Sequence, residues 1–167
     1  MLGDVGSVTL TNSTFYDSQV STDDLNNFTL TGGFWDASRM GTTGRVGDIV
    51  VAGFRNSTLT GTLDELRLNE IFAARDLGRI TASGDMNDLV VDVVGRVRNN
   101  ITAANITRST IDIDNELLLL SVTGDIRASA ITVGTLPTLT VGRNLVASTF
   151  LVSGAFSAVT VANEIIN

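Results

Sequence analysis

Apolar residues recur along this chain in two alternating spacings. Over its last third a short spacing of i, i+3, i+5 occupies Leu117, Leu120, Val122, then Leu136, Leu139, Val141, then Phe156, Val159, Val161. Between these lies a longer spacing of i, i+5, i+7: Ile106, Ile111, Ile113, then Ile126, Ile131, Val133, then Leu145, Phe150, Val152. Each copy follows the last of its kind after nineteen or twenty positions. Both spacings end in an apolar–polar–apolar alternation, which places two side chains on one face of a strand. No helical i, i+3, i+4, i+7 stripe fits them. Asn105, Asn115, Gly124, Gly134, Gly142 and Gly154 stand at the joints, where small or turn-forming residues let the chain change direction at low steric cost.

A strand–turn–strand unit of this length cannot bury its own apolar face, but stacked copies can, each coil about 4.8 Å above the last. The pattern therefore predicts an all-β fold, a parallel β-solenoid (β-helix) with coils of about 19–20 residues and two half-units per coil. Each inward aliphatic side chain would contribute about 1.5–3 kcal/mol on full burial, offsetting the entropy lost in ordering a loop-rich chain. A β-sandwich also has many short strands, yet gives no reason for a fixed repeat.

The N-terminal part carries the same signal with interruptions. The short spacing occurs at Leu25, Phe28, Leu30, at Val46, Ile49, Val51 and at Leu63, Leu66, Leu68. A longer half is expected over Phe54–Leu59 with Asn56 and Ser57 at its corner, and Val8, Leu10, Phe15 and Val20 make the first coil. Two segments break the rhythm and read as loop excursions. Residues 34–45 hold the single Trp and a Gly-Thr-Thr-Gly turn, and residues 71–83 include Ala73-Ala74-Arg75-Asp76-Leu77, which suits one short helical turn. Through 69–104 two registers compete. Met86, Val91, Val93 is preferred because it keeps the twenty-position step to Ile106. Pro137 lacks a backbone donor and is expected at a corner. Residues 1–167 read as a single solenoid domain. It opens inside a strand pattern and stops at Asn163–Asn167, the start of another coil, so the expectation is a piece of a longer repeat protein or a unit that stacks end to end.

Composition narrows the function. Hydrophobic residues make up 43% and aromatics 5%, which suits narrow aliphatic columns. The net charge is −7, from 18 acidic and 11 basic residues, and every basic residue is Arg. Such an acidic chain is a poor partner for nucleic acid or anionic membranes, both of which require clustered positive charge. Neither Cys nor His occurs, which removes disulfides, thiol chemistry, Cys/His zinc sites and His-based acid–base catalysis. Residues 1–6 offer neither the basic nor the apolar region of a signal peptide. No apolar run approaches the length of a membrane-spanning helix, so no membrane insertion is expected.

The best-placed polar constellation is Asp92, Asp112 and Asp114. In the preferred register Asp92 stands one coil below Asp112, and all three point outward. Three such carboxylates could hold Ca²⁺ or supply the acid and base of glycan cleavage. The preferred reading is the solvated face of an acidic protein, since the glycine-rich nonapeptide of calcium-binding β-rolls is missing. Asp88 under Arg108 reads as a cross-coil ion pair. Thr-Leu-Thr occurs at Thr9–Thr11, Thr29–Thr31, Thr58–Thr60 and Thr138–Thr140. Stacked outward Thr would suggest an ice-binding face, but the expected column is broken by Val50, Arg67 and Ser121. Asn-x-Ser/Thr sequons start at Asn12, Asn27, Asn56, Asn100 and Asn105 and matter only in a host that glycosylates secreted proteins. Tyr16, Phe34 and Trp35 suggest either a sugar-stacking patch or packing beneath the first excursion. Gly32-Gly33 matches no phosphate loop, since no helix follows.

The runs Gly124-Asp125-Ile126 to Val133, Gly134-Thr135-Leu136 to Val141 and Asn144-Leu145 to Phe150 resemble the β-strand repeats of large bacterial surface and secreted proteins. The resemblance covers 105–161 well and 8–104 loosely. It implies a parallel β-helix with an extracellular or cell-surface structural role, and brings no catalytic residue, metal or cofactor. Bactofilins, cytoskeletal β-helices, match less well because their core is Gly-rich. Three roles follow. The first is a non-enzymatic structural or adhesive segment that associates with itself, with neighbouring repeats or with surface glycans. The others are a carbohydrate-active β-helix using surface carboxylates, with Arg108 as the basic residue, and a cytoplasmic scaffold filament.

Overall fold

A computed structural model describes residues 3–55, 69–73 and 75–167. The chain is an all-β parallel solenoid of about seven turns, and every strand pairing among the described residues is parallel. Three strand columns enclose the core. The first runs from Val5–Thr11 through Leu25–Thr31, Val46–Val51, Leu77–Ala82 and Val97–Ala103 to Ala158–Val161. The second is a stack of eight two-residue strands, from Phe15–Tyr16 and Trp35–Asp36 to Ile165–Ile166. The third runs from Gln19–Thr22 and Arg39–Thr42 through Leu89–Val93 to Thr149–Val152. The strand Thr110–Val122 turns from the third face into the first without a break and so belongs to both.

The short half-unit is the first face. The long half-unit is bent, giving each coil three faces where the spacing suggested two halves. Its first apolar position lies on the second face, and its other two lie on the third. The bend sits two positions after the first of these, where Asp17, Ala37, Asp88, Arg108, Ala128 and Ala147 have φ of 44° to 52°. This left-handed conformation costs an L-residue about 1–2 kcal/mol. At all of these bends but Asp88, which Leu89 follows, the next residue supplies a compensating bond. Ser18, Ser38, Ser109, Ser129 and Ser148 form a ladder up this corner in which each hydroxyl donates to the carbonyl two positions back, at 2.7–3.0 Å. The same Oγ accepts an N–H from the neighbouring coil: Ser18 to Ser38, Ser109 to Ser129 and Ser129 to Ser148, at 3.0–3.2 Å. Ser38, Ser109 and Ser129 are buried, so without the ladder these amides would go unsatisfied.

Inward positions stack as expected. Ile106 lies over Met86 and under Ile126, and Ile126 under Leu145. Leu120 lies under Leu139, and Leu139 under Val159. The register Met86, Val91, Val93 holds, with Val91 opposite Ile111 and Val93 opposite Ile113. Pro137 falls between strands, where its carbonyl accepts the Ala158 N–H at 2.9 Å.

Neither expected excursion exists. Residues 34–45 form an ordinary coil in which Trp35 pairs with Phe15 and Phe54, and Met40 with Val20 and Ile71. Trp35 is fully buried among Phe15, Phe28 and Phe54, with ring centroids 4.9–5.7 Å apart, and its Nε1 donates to the Ser38 carbonyl at 2.8 Å. The segment looked irregular because Trp35, Met40 and Thr42 fill positions held by aliphatic residues elsewhere. Residues 71–83 are likewise strands, Asn69–Ala73 and Leu77–Ala82, and no helix occurs among the described residues. The departure from the repeat lies between Arg55 and Asn69. Val46, Ile49 and Val51 pair with Leu77, Ile80 and Ala82, a step much longer than one ordinary coil. The expected half-units over Phe54–Leu59 and Leu63–Leu68, with Asn56 and Ser57, lie outside the described residues apart from Phe54 and Arg55.

Candidate functional site

Two surfaces carry polar groups in register: the corner entering the first face, and the outward side of that face. At the corner, the residues just before inward Leu25, Val46, Leu77, Val97 and Leu117 are Asp24, Arg45, Asp76, Arg96 and Glu116, so acid and base alternate up the stack. The Asp24 carboxylate accepts the Arg45 N–H at 2.6 Å. Asp76 accepts Arg98 Nε and Nη2 at 3.1 and 2.9 Å and the Arg96 N–H at 3.3 Å. Burial works against ionisation of Asp76, but the Arg98 hydrogen bond, the Arg96 amide and both positive charges outweigh it and hold the carboxyl below its usual range. Arg79 pairs with Asp48 at 2.9 Å.

Beside this corner runs a groove of about 380 Å³ whose floor is Gly47 and Gly78. A Cβ on Gly47 would overlap the Asn26 carbonyl, and one on Gly78 would sit 2.7 Å from the Gly47 carbonyl carbon. The two glycines therefore let neighbouring coils approach closely here. Asp24, Asp48, Asp76, Arg45 and Arg98 line the walls. Among the described residues the lining offers paired charges and amides, with no hydroxyl or thiol, so it suits polar contact better than nucleophilic chemistry.

The carboxylates singled out from the sequence lie elsewhere, on the third face. Asp92 stands directly opposite Asp112, with Asp114 two positions further along the same strand, all exposed. Burial first, and then the negative charges of Asp112 and Asp114, push the Asp92 carboxyl up. Like charges in register repel. Among the described residues no group of three or more acidic side chains is arranged to hold a metal ion. Arg108 is turned away onto Asp88, as the spacing implied, with Nη2 2.6 Å and Nε 2.8 Å from its carboxylate. The aromatic patch does not form: Trp35 is core, Phe34 lies under the Arg55 guanidinium at 3.2 Å, and Tyr16 is about half exposed. Among the sequons, Asn105 is held in a side-chain ladder, donating to Asp85 at 2.7 Å and accepting the Asp125 N–H at 2.8 Å. Asn56 lies outside the described residues.

The threonine column runs up the outward side of the first face. Val50 and Ser121 interrupt it as expected, and Arg67 lies outside the described residues. Reading upward, Thr9 pairs with Thr29, Thr29 with Val50, Val50 with Thr81, Thr81 with Thr102, Thr102 with Ser121, Ser121 with Thr140 and Thr140 with Thr160. Sequence reasoning missed the serine ladder and the alternating corner charges. A search at the repeat distance for polar as well as apolar residues would have found both.

Comparison of the chain with protein-family models, with curated proteins and with solved structures finds no match.

Proposed function

We propose that this chain is a non-enzymatic structural segment of an extracellular or cell-surface protein, an adhesive rod that grows by stacking coil on coil. The observation that carries the reading is the continuity of each inward column. Ile106, Ile126 and Leu145 stack one above another and are 0%, 0% and 9% exposed, because each coil covers the one below it with the same step. Val159 and Ile165 continue the columns over Leu139 and Leu145, and a rod built in this way lengthens by adding coils, from a neighbouring repeat or from another copy. A net charge of −7 and the absence of Cys and Lys suit an exposed, solvated rod.

Negative-stain imaging and sedimentation across a concentration series test the stacking. The expected result is rods of several lengths that shorten to single units in Val159→Lys/Ile165→Lys. Unstacked particles of one length at every concentration would remove self-association from the proposal. The location is tested by protease treatment of intact host cells. Loss of the chain supports the surface reading, and full protection points to the cytoplasmic scaffold.

A further inference from the structure

Among the described residues, some hydroxyls serve the fold and others do not. Those at the corners serve the fold: Ser109 and Ser129 in the serine ladder, Thr42 bonded to the Gly44 carbonyl at 3.3 Å and Thr43 bonded to Asp23 at 2.7 Å. The outward column of the first face serves no such purpose. Among the described residues, the side chains of Thr9, Thr29, Thr81, Thr102, Thr140 and Thr160 make no hydrogen bond to protein. Ser121 keeps a hydroxyl in line, and Val50 keeps the shape of Thr without one. Strand preference accounts for β-branched residues here but not for hydroxyls, since Val or Ile would serve a strand equally well.

The surface is regular as well as hydroxylated. Neighbouring members of the column are one strand apart, about 4.8 Å. The two register shifts in this face lie before the column, between Leu77 and Ile80 and between Val97 and Asn100, so they leave Thr81, Thr102 and Ser121 aligned. Beyond the column the chain leaves the strands at Ala52, Ser83, Ala104 and Thr123, where the Ser83 and Thr123 hydroxyls donate to the Ala52 and Ala104 carbonyls, so at these levels the free hydroxyls are confined to the one column. The result is a single file of methyl and hydroxyl groups, beside the Asp48–Arg79 pair of the same face, whose axial repeat lies close to that of water oxygens along one axis of ice.

We propose that this face binds ice. Each threonine offers a methyl that confines first-layer water and a hydroxyl that bonds to it, at a spacing that lets the ordered layer merge with the crystal. A second copy of the chain is a poorer occupant. Face-to-face contact would strip water from a row of hydroxyls without supplying partners and would bring two chains of net charge −7 together.

Thermal hysteresis and ice-recrystallisation inhibition of the whole chain test the proposal, alongside Thr102→Lys on the column and Thr132→Lys, an exposed third-face residue paired with Asp112. Circular dichroism and the melting temperature establish that both variants fold. The expected result is ice shaping and hysteresis in the parent and in Thr132→Lys, abolished in Thr102→Lys. Absence of both activities from the parent overturns the proposal, as does an equally active Thr102→Lys. A dimer that Thr102→Lys dissociates would also overturn it, by assigning the face to contact between copies.

Discussion

The N-terminal and C-terminal coils fill the same inward columns with different chemistry. On the second face Phe15, Trp35 and Phe54 give way to Met86, Ile106, Ile126 and Leu145. On the third face the change runs the other way: Thr22, Thr42 and Ala73 give way to Val93, Ile113 and Val133. A coil with a large residue on one face carries a small one across the core, so volume per coil is conserved while its distribution shifts. Close packing requires that balance. The buried hydroxyls it introduces at Thr22 and Thr42 are satisfied by the carbonyls of Asp24 and Gly44. The repeat therefore specifies a volume at each level of the stack, and residue identity follows from what faces it.

That comparison can be broken most forcefully at Trp35. Trp35→Ala should cost about 3–5 kcal/mol, measured by denaturant unfolding, because the rings of Phe15, Phe28 and Phe54 lose their common neighbour. The sharper form converts an N-terminal coil to C-terminal composition. Trp35→Ile with Thr42→Ile should recover at least about 1 kcal/mol over the sum of the single changes. Simple additivity would mean that the two faces do not share volume.

Next in size is the corner, which does not differ between the halves. Ser38→Ala and Ser129→Ala should each cost about 1–3 kcal/mol, since each leaves an amide of the neighbouring coil, Ser18 or Ser109, without an acceptor. Equal losses support a common corner. A loss confined to one half would show that the ladder matters only there. Ala37→Gly and Ala128→Gly, both at positive φ, should gain about 0.5–1 kcal/mol by removing the left-handed penalty, less the entropy of glycine.

The smallest effects are electrostatic and opposite in sign, each below about 1 kcal/mol because the pairs meet solvent. Asp76 is held below 3.8 in the folded chain, so its contribution is complete above that value and is lost as pH falls through the folded pKa. Asp92 is raised above 3.8. Its ionisation costs stability at neutral pH, and the cost is relieved as pH falls through the folded value toward 3.8. Asp76→Asn should therefore destabilise at pH 7 and flatten the acid loss, while Asp92→Asn should stabilise at pH 7. Unfolding midpoints from pH 7 to pH 3 decide both.

The C-terminal half was legible in the sequence because every inward position there is aliphatic and the step stays at nineteen or twenty. The two false excursions arose where the same positions hold Trp35, Met40, Thr42, Ala73 and Ala82, residues that a pattern of Val, Ile and Leu does not recognise. The long step, which pairs Val51 with Ala82, was hidden by Leu63, Leu66 and Leu68, which carry the short spacing in the sequence. The direct pairing of Val50 with Thr81 was for that reason not legible. Asp88 with Arg108 was readable because both lie one clean step apart. The groove was not, because it depends on how closely Gly47 and Gly78 bring neighbouring coils together.

Methyl–methyl nuclear Overhauser measurements on isoleucine-labelled protein test the stacked columns most directly. Cross-peaks are expected between Ile106 and Ile126, one ordinary step apart. They are expected also between Ile49 and Ile80, which are distant in sequence but vertical neighbours in the stack. Absence of the Ile49–Ile80 contact in folded protein would contradict the register, and with it the threonine column. Absence of both would contradict the solenoid.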